Sequence, residues 1–408
     1  MDKIKIEDLS LIFGKHKAKA LRLLEEGKSK ADILEETGCN VAVRSANLTI
    51  KQGEVFVIMG LSGSGKSTLL RCVNRLINPT AGKIFLNNEE ITNMSDKELL
   101  EIRRTGLAMV FQHFGLLPHR TVLSNVAFGL ELKGMKKEER NAKAMETIEQ
   151  VGLSGYENQK VNELSGGMQQ RVGLARGLAN SPEVLLMDEA FSALDPLIRS
   201  QMQDELLLLQ EKMKKTILFI TQDLEEAIKL GDRIAIMKDG EIVQVGTAEK
   251  IITEPADDYV KSFVEKVDHS TIITASSIMF RNPKIARLKR NGPQTVLRMM
   301  RETGLKALPV VRTNRTFLGY INIRDVMELI KKKETSIESI INTEVMVVKP
   351  DTTVEDMLPL TTKTNYPIPV INDDNHLMGL VSLTSLIAES TGKDRDEIDD
   401  IIQKAIEL

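Results

Sequence analysis

The sequence predicts an α/β fold with a mainly parallel sheet, followed by a smaller α+β module built from two similar units. Two observations support this prediction. Over residues 41–237, apolar strand-like runs alternate with helical patterns, as in sheets whose parallel strands are joined by helices. Beyond residue 270 the chain repeats itself, because Pro309 recurs as Pro369 and Gly319 recurs as Gly379. We therefore expect one large domain and a tandem pair of small ones.

The boundaries follow from these patterns and from the length of 408 residues. We expect the large domain over residues 1–262, with a helical insert at residues 15–40. The repeat units are predicted over residues 271–333 and 336–392. The remaining residues, 393–408, place isoleucines at helical spacing and predict an amphipathic helix.

The composition limits the kind of partner and compartment. Lys and Arg number 55 against 58 Asp and Glu, a net charge of −3 that argues against a nucleic-acid partner. The two cysteines, Cys39 and Cys72, form no disulfide framework, which indicates a reducing cytosol. No stretch approaches 18 consecutive apolar residues, so we expect the chain to reach a membrane only by docking on another protein.

At the N-terminus, alternating residues predict a strand over residues 3–13, and two short helical patterns follow it. The second helix is preceded by Ser29 and Asp32, a capping-box pattern, and stops at Gly38. The insert is rich in lysine. Two interpretations stay open for its charges: a solvated face, or an electrostatic contact with anionic lipid headgroups.

A glycine-rich loop at residues 60–68 follows an apolar run at residues 55–59 and precedes a helix. Glycines there let backbone N–H groups cradle phosphate oxygens, and the helix N-terminus adds positive potential. Lys66 can reach the β- and γ-phosphates, and the Ser67 hydroxyl can bind Mg²⁺. The residues predicted to hold the phosphates are Gly60, Ser62, Gly63, Ser64, Gly65, Lys66, Ser67 and Thr68.

The rest of the large domain continues the alternation of strands and helices. A turn at residues 51–54 separates two strands, and a hairpin turn at residues 238–240 follows the last strand of the series. Residues 122–180 carry helical patterns, which predict a helical subdomain. Strands are predicted at residues 83–86, 107–111, 184–187, 216–221 and 233–237, and a further helix at 96–104.

Two more clusters carry chemistry. Asp188 and Glu189 end a predicted strand, where one carboxylate can hold Mg²⁺ and its neighbour can polarise a water molecule. The run at residues 164–171 opens a helix and makes a second anion site, because its glycines expose a helix N-terminus. Since the first loop already serves a nucleotide, the second site suggests a nucleotide held by another copy of the chain. Its residues are Ser165, Gly166, Gly167 and Gln169.

Together these motifs resemble those of the ABC transporter ATPases over residues 1–262, with 60–68 and 184–189 as the two Walker motifs and 164–171 as the signature. The resemblance implies that ATP and Mg²⁺ bind between two copies. Gln112 matches the glutamine that contacts Mg²⁺ and the attacking water, and Glu189 matches the general base. Asp195 matches the residue that communicates across the dimer.

Phe13 matches the aromatic residue that stacks on adenine in the family, and an ordinary strand core residue is the alternative. One position departs from the pattern. The family has a histidine that contacts the γ-phosphate where this chain has Gln222. An amide cannot carry a proton or a positive charge, so we expect nucleotide binding to survive and hydrolysis to be slowed. Natural variation and an alteration that traps a closed state are both open as origins.

The repeat pair resembles tandem CBS domains over residues 271–390, which bind adenine nucleotides in the cleft between copies. The ribose-binding pattern of that family matches Gly319, Asn322 and Asp325 in the first copy. In the second copy the acid is replaced by Ser385. This departure weakens the expectation of an AMP site there and leaves a structural, dimerising role as the alternative.

The combination resembles the ATPase subunit of glycine betaine/proline-type osmoprotectant importers. It implies a second copy of the chain and a membrane permease, fused in some systems to a substrate-binding domain, at the cytoplasmic face of the cell membrane. Some members are inhibited by cyclic di-AMP at their CBS domains, which we adopt as a hypothesis. The rivals are a soluble ABC ATPase of repair or translation, and a nucleotide-sensing clamp with an inactive cassette.

Overall fold

The computed structural model describes residues 1–112, 115–265, 269–364 and 366–391. The chain forms two compact units, Met1–Val264 and Glu265–Leu408. Each unit has its own hydrophobic core.

The first unit begins with a long strand, a helical pair and a second long strand. Its first elements are β1 (Asp2–Phe13), α1 (Lys17–Glu25), α2 (Lys30–Thr37), β2 (Asn40–Lys51), β3 (Val55–Met59), α3 (Lys66–Val73), β4 (Ala81–Leu86), β5 (Glu89–Glu90), α4 (Asp96–Thr105) and β6 (Leu107–Val110). The helical region that follows contains α5 (Val122–Val126), α6 (Phe128–Leu132), α7 (Lys137–Gln150) and α8 (Gly166–Ala179). The unit ends with β7 (Val184–Asp188), α9 (Pro196–Met213), β8 (Thr216–Thr221), α10 (Leu224–Leu230), β9 (Arg233–Lys238), β10 (Glu241–Gly246), α11 (Ala248–Thr253) and α12 (Asp258–Val264).

The central sheet has six strands in the order β10-β9-β3-β8-β7-β6. All pairs are parallel except β9 and β10, which form the hairpin predicted at residues 238–240. Strands β3, β7 and β8 are buried along their whole length, which explains their continuous apolar sequence. The parallel arrangement brings the carboxyl ends of β3, β7 and β8 to one edge, where the polar motif residues follow.

A second sheet was not predicted from the sequence. It is antiparallel, with the order β2-β1-β4-β5, and one face packs on the central sheet. Ile4 and Ile6 of β1 lie in the same buried cluster as Phe56 and Ile58 of β3. The pairing of β1 with both β2 and β4 joins segments up to about 80 residues apart, as Ile4 with Leu86 shows, and no local pattern encodes such a register.

The insert forms helices α1 and α2, as predicted. Ser29 and Asp32 form the predicted capping box at the start of α2, and Gly38 ends the helix in a left-handed conformation. Apolar residues of both helices pack in a small separate core on the ends of β1 and β2. This core contains Ile12, Ala20, Leu23, Leu24, Ile33, Cys39 and Val41. The insert is therefore attached to the two strands that it separates.

The second unit contains the predicted pair of repeats. Its elements are α13 (Ala275–Ile278), β11 (Ala286–Arg287), α14 (Pro293–Thr303), β12 (Ala307–Val311), β13 (Phe317–Asn322), α15 (Ile323–Lys331), α16 (Val354–Met357), β14 (Ile368–Ile371), β15 (Leu377–Val381) and α17 (Leu383–Thr391). Each repeat contributes one antiparallel hairpin, β12-β13 or β14-β15.

The two repeats differ in detail. The short strand β11 pairs in parallel with β12 and was not predicted. The helix expected before β14 is only the four-residue α16, followed by a 3₁₀ turn, Leu358–Thr362. Pro359 lies at the start of that turn and has no N–H to continue an α-helix, which accounts for the change.

The amphipathic helix predicted over residues 393–408 lies outside the described residues. Within the described ranges, no helix is both long enough and apolar enough to span a membrane.

Candidate functional site

The glycine-rich loop lies between β3 and α3, as predicted, and its glycines are required by close backbone contacts. A Cβ atom on Gly60 would lie 2.1 Å from the Met237 carbonyl oxygen. On Gly65, which has φ +104°, it would lie 2.4 Å from the Ala42 carbonyl oxygen. Only glycine lets the loop approach its neighbours this closely while turning its amides into the site.

Two polar side chains of α3 have partners that hold them at the loop. The Lys66 ammonium donates to the carbonyl oxygens of Gly60 (2.8 Å) and Leu61 (2.9 Å). Burial lowers the Lys66 pKa, against the attraction of the Glu189 and Asp188 carboxylates, which raises it. The Ser67 hydroxyl donates to Asp188 Oδ1 at 2.6 Å. This contact joins the two segments predicted to bind phosphate and Mg²⁺.

Glu189 is the centre of a second cluster at the end of β7. Its side chain is only 8% exposed, and its backbone has φ +45°, which is rare for a residue with a side chain. The Gln222 amide donates to both carboxylate oxygens at 2.9 Å. Gln112 donates to Oε2 at 3.1 Å and approaches the Ser192 hydroxyl at 3.4 Å. The three residues predicted to be catalytic are therefore in direct contact.

These residues line one polar cavity of about 430 Å³. Phe13 also lines it, at the end of β1, with 42% of its surface exposed. That exposure rules out the alternative of an ordinary core residue and leaves an aromatic face available at the cavity. The lining residues are Phe13, Lys30, Asn40, Val41, Ala42, Ser62, Gly63, Gly65, Lys66, Ser67, Thr68, Gln112, Glu189 and Gln222.

Some residues predicted to bind the nucleotide or Mg²⁺ do not line the cavity but lie directly behind its wall. Gly60 and Ser64 shape the loop from its buried side, and the Ser64 carbonyl accepts from the Gly240 N–H. Asp188 reaches the cavity only through its hydrogen bond to Ser67.

The signature residues are not brought to this cavity within one chain. Ser165 caps α8 by accepting from the Met168 N–H, and it is exposed. Gly166 is also exposed, and Gly167 packs against Ile198. The Gln169 amide donates to the Leu164 carbonyl oxygen at 3.1 Å.

Asp195 is also outside the cavity. It caps α9 through a 3.1 Å bond from the Ile198 N–H, and it is exposed. The signature helix N-terminus and Asp195 therefore face solvent in the single chain, where a second copy can reach them.

Several lining residues were missed by the sequence analysis. Lys30 begins α2, and Asn40, which pairs with Phe13, begins β2. Tyr259 of α12 lies outside the cavity, but its hydroxyl accepts from the Leu61 N–H and donates to Met237 O, both at 3.3 Å. The capping box could have located the start of α2, but no sequence signal placed these residues beside a loop distant in the chain.

The donor set fits Mg²⁺. Ser67 and Asp188 supply a hydroxyl and a carboxylate in direct contact, and Gln112 supplies an amide oxygen in the same cavity. Such hard oxygen donors suit a cation that is bound by one or two carboxylates together with substrate phosphates. When bound there, Mg²⁺ would offset the negative charge of the nucleotide phosphates.

The second unit has a cleft of a different kind, about 700 Å³ in volume, between its two repeats. Tyr320 and Tyr366 lie in its wall with stacked rings, centroids 5.1 Å apart. The Tyr320 hydroxyl donates to the Pro367 carbonyl oxygen at 2.9 Å, and burial raises the Tyr320 pKa.

Four residues that match the ribose-binding pattern contact one another in pairs at the starts of two helices. Asn322 caps α15 and bonds Asp325, and Ser382 contacts Ser385 at 2.8 Å. Of these four, Ser382 lines the cleft.

The fold and the site define a phosphate-loop ATPase of the ABC class. The family model for ABC transporters matches residues 43–192, and the model for CBS domains matches residues 275–332 and 337–392. A solved structure, the dimeric ATP-binding cassette MJ0796 bound to ADP and phosphate, aligns with a TM-score of 0.51 at 35% identity, covering 60% of this chain and 98% of that chain.

Curated relatives match nearly the full length. The glycine betaine/carnitine transport ATP-binding protein GbuA of Listeria monocytogenes is 51% identical, covering 97% of this chain and 99% of that protein. The glycine betaine transport ATP-binding protein OpuAA of Bacillus subtilis is 49% identical, over 96% and 93%. The chain belongs to the family of ABC transporter ATP-binding subunits that carry tandem CBS domains. It is an ATPase that binds ATP with Mg²⁺, and it works as a dimer with a membrane permease.

Proposed function

We propose that the chain is the ATP-hydrolysing subunit of an importer for glycine betaine or a related osmoprotectant. The observation that carries the proposal is the identity of about half of all residues, across both units, with two subunits whose names state glycine betaine transport. Because these relatives match the chain over both the cassette and the CBS pair, assignment to a distant ABC subfamily is less well supported.

The proposed mechanism uses two copies. Each copy holds the phosphates on its glycine loop, with Lys66 leaving its carbonyl partners for the β- and γ-phosphates. Ser165, with the exposed N-terminus of α8, completes the site of the opposite copy. Ser67, Gln112 and Asp188 would hold Mg²⁺. Closure of the pair on two ATP molecules drives the permease.

Glu189 is the proposed general base. Its buried carboxylate lies in the same cavity as Lys66, and Gln112 orients it. In the cycle Glu189 takes the proton of the attacking water, and hydrolysis then lets the dimer reopen. Asp195 communicates across the dimer, and Phe13 stacks on the adenine.

Gln222 is proposed to slow this step. Its amide donates to both Glu189 oxygens, so the carboxylate of the base is engaged by hydrogen bonds with which the attacking water must compete. The same amide cannot offer a positive charge to the γ-phosphate.

The test is transport by the assembled complex. The subunit is co-purified with its permease, reconstituted in vesicles and assayed for ATP turnover and for uptake of glycine betaine, carnitine, choline and proline. We expect uptake of one or more of these solutes that requires ATP. ATP turnover without uptake of any of them would contradict the substrate assignment.

A second candidate is a nucleotide-sensing clamp with a weakly active cassette. The observation that favours it is the bidentate contact between Gln222 and Glu189, which occupies the base. ATP turnover at the background level in the reconstituted complex, with ATP binding intact, would support the clamp over the motor.

We also propose that the CBS pair is a regulatory module that binds an adenine nucleotide, with cyclic di-AMP as the specific hypothesis. The cleft is large, and the stacked ring pair of Tyr320 and Tyr366 stands in its wall beside the polar Ser382. Aromatic faces of this kind suit a purine base. Calorimetric titration of the full chain with cyclic di-AMP tests this, and an absence of binding at millimolar ligand would exclude it.

The functional domains are residues 1–262, 271–333 and 336–392, and the subunit sits at the cytoplasmic face of the membrane through a permease fused to a substrate-binding domain. The insert at residues 15–40 is proposed to contact anionic lipid headgroups. In support, its Lys15, Lys17, Lys19 and Arg22 are exposed.

A further inference from the structure

Lys30 differs from the other cations of the insert in where its side chain lies. Lys15, Lys17 and Lys19 are exposed, whereas Lys30 is half-buried and lines the phosphate cavity. It is the first residue of α2, directly after the Ser29 cap. The cap therefore determines where the helix begins and places Lys30 at the cavity.

The position of the ammonium group relative to the glycine loop follows from two contacts. A Cβ atom built on Gly240 would lie 2.9 Å from Lys30 Nζ. The Gly240 N–H donates to the Ser64 carbonyl oxygen at 2.8 Å, so this hairpin turn is bonded directly to the glycine loop. The Lys30 ammonium group therefore lies beside the Gly240 turn, which in turn contacts the glycine loop.

The surroundings of the Lys30 ammonium group also connect Phe13 with the glycine loop. Phe13 pairs with Asn40 across the two strands, and Ala42, two residues further along β2, has its carbonyl oxygen against Gly65. That oxygen would also lie 2.8 Å from a Cβ on Gly240. Lys30 consequently lies at the part of the cavity between the proposed adenine contact and the first turn of α3.

Among the described residues, the Lys30 side chain forms no ion pair within 4 Å and no hydrogen bond. Its charged neighbours at longer range are Asp239 and Glu241, which favour its charged form, and Arg44, which opposes it. Burial is the largest influence and lowers the Lys30 pKa. Since a half-buried ammonium without a partner is unfavourable, an anionic ligand in the cavity would gain a direct partner there.

We propose that Lys30 is a nucleotide-binding residue that contacts the α-phosphate of the bound nucleotide. This inference rests on the proposed ATP site, because it takes the glycine loop as the phosphate cradle. It gives the insert a role in nucleotide recognition: one end of α2 meets the ligand, while the lysines of the preceding segment face solvent. Occupancy of the site is then communicated directly to the insert.

The experiment measures nucleotide affinity by calorimetry on the full chain, with ADP and with a non-hydrolysable ATP analogue. The variants are Lys30→Ala, Lys30→Arg and Lys17→Ala. Alanine favours helix and preserves the start of α2. Lys17→Ala removes the same charge from an exposed position of the same insert, so it reports the long-range electrostatic effect alone. Thermal unfolding of each variant confirms the fold.

We expect Lys30→Ala to weaken both ligands by a similar factor of about 3- to 10-fold, as for a partly exposed charge-assisted hydrogen bond. Lys30→Arg should recover most of the affinity, and Lys17→Ala should match the parent. A similar factor for both ligands is expected for the α-phosphate, which both carry, and excludes a contact with the γ-phosphate, which ADP lacks. Loss confined to the ATP analogue, or equal loss in Lys17→Ala, would overturn the proposal.

The variant Lys66→Ala distinguishes an error in the role of Lys30 from an error in the assignment of the phosphate cavity. If Lys66→Ala weakens the ATP analogue and Lys30→Ala weakens neither ligand, the phosphate cavity is correct and the role of Lys30 is wrong. If neither variant changes affinity, the assignment of the cavity itself is wrong.

Discussion

The two units of this chain use their conspicuous sequence motifs in opposite ways. In the first unit the motif residues contact one another, as Ser67 does with Asp188 and Gln222 with Glu189, so they build the site. In the second unit the residues that match a ligand-binding pattern, Asn322 and Asp325, are occupied in capping a helix. The cleft there is formed by packing of two repeats, and its tyrosines belong to no motif that was recognised.

The difference has a physical origin. Binding a phosphate chain through backbone amides requires glycines at fixed spacing, so this chemistry produces a recognisable sequence motif. A cleft between two similar units depends on which side chains happen to line the interface, and many sequences satisfy that requirement. Single substitutions should therefore abolish activity in the first unit and only adjust the second.

The largest expected effect is that of Glu189→Gln. Removing the proposed base should lower ATP turnover by about 100-fold or more, because general-base catalysis typically contributes at least that factor. Nucleotide affinity should stay at the parent level. Turnover in the permease complex and calorimetry with ADP measure the two quantities, and turnover above a tenth of the parent would show that another group is the base.

Next in size is Gly60→Ala. The added methyl group meets the Met237 carbonyl oxygen, so we expect the free energy of unfolding of the first unit to fall by about 2–3 kcal/mol and ADP binding to weaken. Gly63→Ala is the matched control, because a Cβ there meets nothing within 4 Å and only its φ of +80° opposes the change. Its cost should be about 1 kcal/mol. Denaturant titration compares them, and equal losses would show that the close backbone contact is not what requires glycine.

Gln222→His tests the departure from the family pattern. A histidine can carry a proton and a positive charge, so turnover should rise by about 10-fold, which is less than the roughly 100-fold or more of a full general acid or base because Glu189 remains the base. Gln222→Ala removes the hydrogen bonds to Glu189 without adding a charge, so a gain smaller than that of the histidine variant would show that the missing charge also slows turnover. Equal turnover in the parent and the histidine variant would refute the proposal that Gln222 slows hydrolysis.

The smallest expected effect is in the second unit. Tyr320→Phe removes one hydrogen bond to the Pro367 carbonyl and should destabilise the hairpin locally by about 1 kcal/mol. Backbone hydrogen exchange of β13 and β14 should then be about fivefold faster, with basal ATP turnover unchanged. Tyr366→Phe is the control, because among the described residues its hydroxyl makes no hydrogen bond. A larger increase in hydrogen exchange in Tyr366→Phe, or a fall in ATP turnover in Tyr320→Phe, would contradict the proposed difference between the two units.

The sequence was sufficient for much of the first unit. Buried strands such as β7 and β8 could be predicted because a parallel sheet covered on both faces requires continuous apolar runs. The glycine loop, the carboxylates after β7 and the capped helix α2 were predictable because their chemistry is local. In the second unit, the recurrence of Gly319 as Gly379 was enough to reveal two repeats.

The environment of Cys72 could also be predicted from its position in the sequence. Cys72 was expected to act as a small apolar residue early in the helix after the loop. The structure buries it in α3, and burial raises the pKa of its thiol to about 12.

What the sequence by itself determined was most of the local elements and the class of chemistry, because periodicity, capping and glycine spacing act within a few residues. Only the tertiary structure decided which distant residues meet: the pairing of β1 with β4, the donation from Gln222 to Glu189, and the place of Lys30 beside the glycine loop. These contacts join segments 33 to 210 residues apart, as residue pairs 189 and 222 and 30 and 240 show. They arise from side-chain packing between whole elements, which no short stretch of sequence encodes.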